Sequence, residues 1–192
     1  MIVLKYVIAV TGTPATGKTS FAKTLAKEIG AKLIEINDVV KERHLFSHKD
    51  KFGTMVVMLP ELSAAMKEIL LSATGPIVVV GHLAPELNVK YNAAVVIRAK
   101  LKVIANRQHK RGYPMEKIRD NLISEATDYC GSLMRGKVDN TFEVETDADK
   151  KALMDYFKAM SRGRNAVAPK TNEIDKLKEI IELVKNGNKY KL

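Results

Sequence analysis

Five short segments rich in apolar and β-branched residues mark the chain, at residues 3–10, 32–36, 77–80, 94–97 and 141–144. They run apolar throughout rather than alternating with polar positions, which predicts strands buried on both faces. Between them the apolar period lengthens. Phe21, Leu25 and Ile29 recur at i+4 and predict a helix over residues 19–29, closed by Gly30. Asp38 is placed to open a short helix reaching Leu45. Leu62, Met66, Ile69 and Leu70 predict a helix begun at Pro60 and stopped by Gly75 and Pro76. Residues 100–110 read as helix up to the break at Arg111, Gly112, Tyr113 and Pro114, and Pro114 starts another helix that runs to about Met134. Helices over 148–160 and 172–185 follow, separated by a loop at 161–170, while residues 47–59 fit neither period.

Strands taking turns with helices predict an α/β fold: a parallel sheet of about five strands flanked by helices on both faces. No repeat or linker divides the 192 residues, so a single domain is expected.

The turn after the first strand changes this picture from a fold into a chemistry. Gly12, Thr13, Pro14, Ala15, Thr16, Gly17, Lys18 and Thr19 fit the phosphate-loop pattern G-x-x-x-x-G-K-S/T in full, between a predicted strand and a predicted helix. Two glycines let the backbone curl so that amide groups point at a phosphate, beside the positive end of the helix that follows. Lys18 then reaches the β- and γ-phosphates as a point charge, and the Thr19 hydroxyl joins a Mg²⁺ shell. Ser20 completes the candidate set of nucleotide contacts. The loop points to ATP as phosphate donor. A GTPase is disfavoured, because the nearest string to a guanine-reading segment, Asn188, Lys189, Tyr190 and Lys191, lacks the acid.

Composition narrows the setting. Lysine and arginine number 32 against 22 acidic residues, a formal charge of +10 that favours anionic partners and equally describes a solvated basic surface. Cys130 is the single cysteine, so neither an internal disulfide nor a thiolate metal site is expected, in keeping with a reducing, cytoplasmic setting. The apolar start of the chain is interrupted by Lys5 and is too short to span a membrane. His44, His48 and His109 lack metal-ligand spacing.

From residue 5 to 146 the order of motifs resembles the adenylate kinase isoenzyme 6 family of archaea and eukaryotic nuclei. Residues 11–19 look like that family's TGTPGxGKT opening, with Ala15 where glycine is usual. Similar too are the Asp38 segment, the Gly81, His82, Leu83 turn, residues 96–98, and Arg111, Gly112, Tyr113 followed by Lys117, Ile118 and Asn121. The resemblance implies nucleoside monophosphate kinase chemistry with ATP hydrolysis, a monophosphate-binding segment at 38–72, a small lid at 107–120 and a helical extension at 147–192. It also implies a part in small ribosomal subunit maturation, with a ribosomal protein and pre-ribosomal RNA as partners.

Particular residues take roles accordingly. Arg107 and Arg111 lie four apart before a Gly/Pro break and suit the neutralisation of phosphate charge by a closing segment, or else a solvated basic face. Asp38 opens the monophosphate segment or caps a helix. Lys41 stands where the family carries an arginine for the acceptor phosphate, and a lysine cannot grip two oxygens as a planar fork does. His82 corresponds to the histidine of the family's Asp-x-His element, and a near-neutral pKa would let it orient an attacking water. Val80 occupies the place of that element's Asp, which holds Mg²⁺ through water, so either Asp38 substitutes or Thr19 and the phosphates hold the ion alone. Three readings stand at this point: an ATP:nucleoside monophosphate phosphotransferase with AMP as acceptor, a slow ATPase that assists ribosome assembly, and a kinase for a small metabolite.

Overall fold

The computed structural model describes residues 6–171 and 174–185. Its apolar runs become β1 (Val7–Thr11), β2 (Lys32–Glu35), β5 (Ile77–Val80), β6 (Ala93–Ile97) and β7 (Thr141–Val144), all parallel in the order β2-β5-β1-β6-β7. The runs do not alternate because both faces are covered. Ala9, Val79, Ala94 and Val96 turn to one layer, where they meet α2 (Ile36–Glu42), α3 (Leu59–Ser72) and α6 (Tyr129–Arg135). Ile8, Val10, Val78, Val80 and Val95 turn to the other, against α1 (Lys18–Ile29) and α7 (Asp147–Ser161). Each fully buried valine or isoleucine among them contributes roughly 1.5–3 kcal/mol, so the two layers hold the sheet from both sides.

The helices stop where their sequence gives the backbone a reason. Gly30 takes the left-handed conformation at the end of α1. Thr146 and Asp149 cap α7 reciprocally, side chain to backbone in both directions. Leu153 and Phe157 then bury α7 beside α1, so the helix opening the 147–192 extension forms part of the main core. α4 (Leu101–Lys110) and α5 (Met115–Ala126) form a smaller core of their own with Leu101, Ile104, Ile118 and Leu122, joined by Ile180 of α8 (Leu177–Lys185). No helix among the described residues is long and apolar enough to cross a membrane.

Four expectations change. The single helix expected from Pro114 to Met134 is two, α5 and α6, because Asp128 adopts φ 54° between them and presents its carboxylate to Arg98 and Arg135. Asp38 does not cap α2; Glu35 stands at that position and Asp38 lies in the first turn. Residues 47–59, which showed no period, fall largely in a hairpin of β3 (Phe46–Lys49) and β4 (Met55–Val57). Its turn is held by the Asp50 carboxylate, which accepts from the amides of Phe52 and Thr54 at 2.8 Å each. The helix expected over 172–185 begins at Leu177; residues 172 and 173, like the string at 188–191, lie outside the described residues.

Candidate functional site

Parallel strands bring all their carboxyl ends to one edge of the sheet, and the chain leaves β1 there through the phosphate loop. Gly12 has φ 137°, and a Cβ at this position would lie 2.3 Å from the Ile97 carbonyl oxygen, so only glycine fits against β6. Gly17 opens α1 with φ 105°. Ala15, the departure from the family's glycine, is held at φ 76°, which a side chain tolerates only with strain.

Three of the loop's carbonyl groups accept from donors on α4. Gln108 Nε2 donates to Pro14 O at 2.7 Å, and Arg107 Nη1 donates to Ala15 O at 3.0 Å and to Thr16 O at 3.3 Å. Asn121 orients Gln108 by donating to its Oε1 at 3.0 Å. With these carbonyls so occupied, the loop can present amides to an anion, the Thr16 amide excepted, which donates to Thr13 O at 3.3 Å. Thr13 Oγ1 donates to Glu125 Oε2 at 2.6 Å. Glu125 is itself gripped by buried Arg98, whose Nε donates to Oε1 at 2.9 Å and whose guanidinium also meets Asp128 and Glu143. Burial, with Asp128 beside it, pushes the Glu143 carboxyl up.

Gln108 and Glu125 were not flagged by sequence, yet each left a signal. Gln108 falls on the buried stripe of Leu101, Ile104 and Ala105, and Glu125 falls between the buried Leu122 and Ala126. A polar residue on an apolar helix face needs a partner, and here the partner is the loop.

Two hollows flank the loop. The larger, of about 740 Å³, is lined by Lys18, Thr19, Lys41, His82 and Arg111, among others, under the β3–β4 hairpin. The smaller, of about 460 Å³, lies over Thr16, Gly17 and Ser20 and is bounded by Arg107 and by Asp147, Lys150 and Met154 of α7. Ala15 and Arg111 line both. Thus Lys18, Thr19, Lys41, His82 and Arg111 come together in one cleft, and Ser20 and Arg107 in the other. Asp38 is exposed on α2 and lines neither, whereas its neighbour Asn37 lines the larger. Gly12 and Thr13 are buried behind the loop. Across the mouth of the larger hollow, Lys117 of α5 donates to Thr54 of the hairpin, and Lys51 pairs with Glu116.

Burial shapes the titration of the cleft. Lys18 is lowered to about 8 by burial, with Arg111 adding to the effect against Cys130 and Glu125. His82 is lowered to about 4, by burial first and then by Lys18 and Lys117. The near-neutral value expected for His82 is therefore replaced by a ring that stays neutral around pH 7, able to orient a water through a lone pair or N–H without carrying charge. Cys130 is buried near Thr11, and burial raises its thiol to about 11, which leaves it inert.

The donors for a divalent cation fit the group in kind: the Thr19 hydroxyl lines the cleft, together with two carboxylates, Glu35 and Glu86. Val80 is only 3% exposed and packs in the α1-side core, so it offers nothing to an ion.

The family described as an AAA domain matches residues 8–128. A protein of Methanocaldococcus jannaschii named "Putative adenylate kinase" is 34% identical over 140 residues, covering 72% of this chain and 76% of its own. One of the same name from Methanosarcina mazei is 30% identical over 176 residues, covering 79% and 88%. Shikimate kinases of Bacteroides thetaiotaomicron and, with shikimate bound, of Acinetobacter baumannii share the fold with TM-scores of 0.54 and 0.56. They are 14% and 13% identical and cover 82% and 84% of this chain, and 98% and 96% of theirs. Through its phosphate loop and these identities over most of its length, the chain belongs to the family described as an AAA domain and to that of these relatives named "Putative adenylate kinase", as its motifs indicated.

Proposed function

We propose that the protein transfers the γ-phosphoryl group of ATP to a nucleoside monophosphate, with AMP as the preferred acceptor. One observation carries this reading: two hollows meet at the phosphate loop, and Arg111 lines both. The smaller takes the donor's nucleoside, between Arg107 and the start of α7, and its triphosphate runs over the loop amides. The larger takes the acceptor, whose phosphate meets Lys41 and Lys117 while its base lies among the apolar residues of the hairpin side.

In the transfer, an oxygen of the acceptor phosphate attacks the γ-phosphorus and the bond to the β-bridging oxygen breaks. Several negative charges converge, so catalysis is alignment plus neutralisation. Lys18 holds the β- and γ-oxygens, and Arg111 spans donor and acceptor. Mg²⁺, when bound, draws charge from the β- and γ-phosphates, and Thr19 is the residue of the loop that would hold it.

A coupled assay across AMP, CMP, GMP and UMP tests the reading. AMP should be phosphorylated fastest, and R111M should lower turnover at least tenfold. If no monophosphate accepts phosphate, the proposal is wrong.

A second reading draws on the fully exposed segment at 162–168, with Arg162 and Arg164, in a chain of charge +10. In it the same site hydrolyses ATP slowly, with neutral His82 orienting the water, in a cytoplasmic factor that grips pre-ribosomal RNA and a small-subunit ribosomal protein. Phosphate release without any monophosphate, together with salt-sensitive RNA binding, would distinguish it.

A further inference from the structure

Val80 leaves the end of β5 without an acid, but the neighbouring strand supplies one. Parallel register sets Glu35, the last residue of β2, beside Val80, and Val80 beside Val10 of β1, so three strand ends stand in a row at the root of the phosphate loop. Glu35 lines the larger hollow with Lys18 and Thr19.

A second contact shows where its side chain points. Lys23 Nζ lies 3.1 Å from Glu35 Oε1. Lys23 follows Thr19 by four residues on α1, hence on the same helix face and about 6 Å further along it. The Glu35 carboxylate therefore lies beside the N-terminal half of α1, next to a residue on the helix face that carries Thr19.

The alternatives are less well placed or already engaged. Asp38 lines neither hollow. Glu86 lines the same hollow, but its carboxylate already accepts from the Tyr129 hydroxyl. The Lys23–Glu35 pair, by contrast, is partly exposed, with side chains 61% and 28% accessible, so it resists an incoming cation only weakly.

We propose that Glu35 is the carboxylate that holds, through water, the divalent cation bound with the nucleotide, in the place that Val80 leaves empty. Mg²⁺ keeps several waters and is typically fixed by one or two carboxylates plus substrate phosphates, which suits an acid that shares the cleft with Thr19. The proposal rests on the phosphate-donor reading of the loop.

The test uses the full chain, Mn²⁺ as probe and a non-hydrolysable ATP analogue. Mn²⁺ affinity of the nucleotide complex is read by electron paramagnetic resonance, and metal-free nucleotide affinity by fluorescence titration. E35Q should weaken Mn²⁺ about tenfold or more, the usual effect of losing an outer-shell partner. Its metal-free nucleotide affinity should stay equal or rise, since a negative charge near the phosphates has gone, and this also reports an intact loop. K23A, which breaks the ion pair but keeps the acid, and E86Q should both bind Mn²⁺ as wild type does. Mn²⁺ affinity in E35Q within twofold of wild type, or a loss in E86Q instead, would overturn the assignment. Failure of the wild type to bind nucleotide even without metal would remove the donor reading itself, and this proposal with it.

Discussion

Lys18 offers the sharpest test of the site, because its free-state pKa of about 8 lies far below the ordinary lysine value. A triphosphate against the amine favours the ammonium and returns it toward the ordinary value. Above pH 8 nucleotide binding must then draw a proton from solution: about half a proton at pH 8, about nine-tenths at pH 9. Affinity should fall roughly tenfold per pH unit above 8, until the ordinary lysine range is reached. Calorimetry in two buffers of different ionisation enthalpy counts these protons directly. K18R, whose guanidinium stays charged, should bind without the pH dependence. Binding by the wild type at pH 9 with no proton uptake would refute the reasoning. The same shift has a stability consequence. The drop from 10.5 to about 8 corresponds to about 3 kcal/mol of disfavoured charge in the free protein. The native state binds fewer protons than the unfolded chain between these values, so stability rises with pH through that window, and the penalty is fully present below pH 8. K18M should therefore stabilise the nucleotide-free protein by about 1–3 kcal/mol while abolishing binding.

Three further outcomes follow from the geometry. R98M leaves Glu125, Asp128 and Glu143 crowded, with Arg135 still paired to Asp128 and Glu143, and should cost about 3–5 kcal/mol, or roughly 6–20 °C in melting temperature. Because Glu143 is already raised and loses a cation, its ionised form opposes folding, and that cost disappears as pH falls through its folded value; the R98M deficit should shrink as pH falls from neutrality toward the ordinary carboxylate range, and a pH-independent deficit would contradict this. A15G relieves a φ of 76° and should raise stability by up to about 1 kcal/mol in thermal melts, the gain being limited by glycine's chain entropy. The His82 ring should titrate near 4 by NMR, so ATP hydrolysis should show no histidine step between pH 6 and 8; a ring pKa above 6 would remove His82 as a neutral partner for water.

The sheet and the loop were legible because each depends on local pattern: apolar runs of β-branched residues, and a motif whose glycines answer to backbone geometry. The hairpin at residues 46–57 was not, since strands of three and four residues carry too little period and its turn depends on one Asp50 carboxylate. The bend at Asp128 was hidden for a different reason. It is favoured by Arg98, thirty residues earlier and just past β6, and by Arg135 at the end of α6, and the first of these separations conceals its partner. The titration of His82 and Lys18 was equally out of reach, because burial, the dominant cause, exists only after folding. Glu35 went unnoticed because its meaning comes from strand order, which places β2 beside β5 across more than forty residues of chain.

The tether from Thr13 through Glu125 to Arg98 has a wider consequence. A Gly-rich turn left to itself would fluctuate among many shapes, and a ligand would have to freeze it at an entropic cost. Here α5 and β6 hold the turn in shape before any ligand arrives, so the ability to bind is inseparable from the integrity of two distant segments. Damage to either would silence the protein without touching a single group that meets the nucleotide.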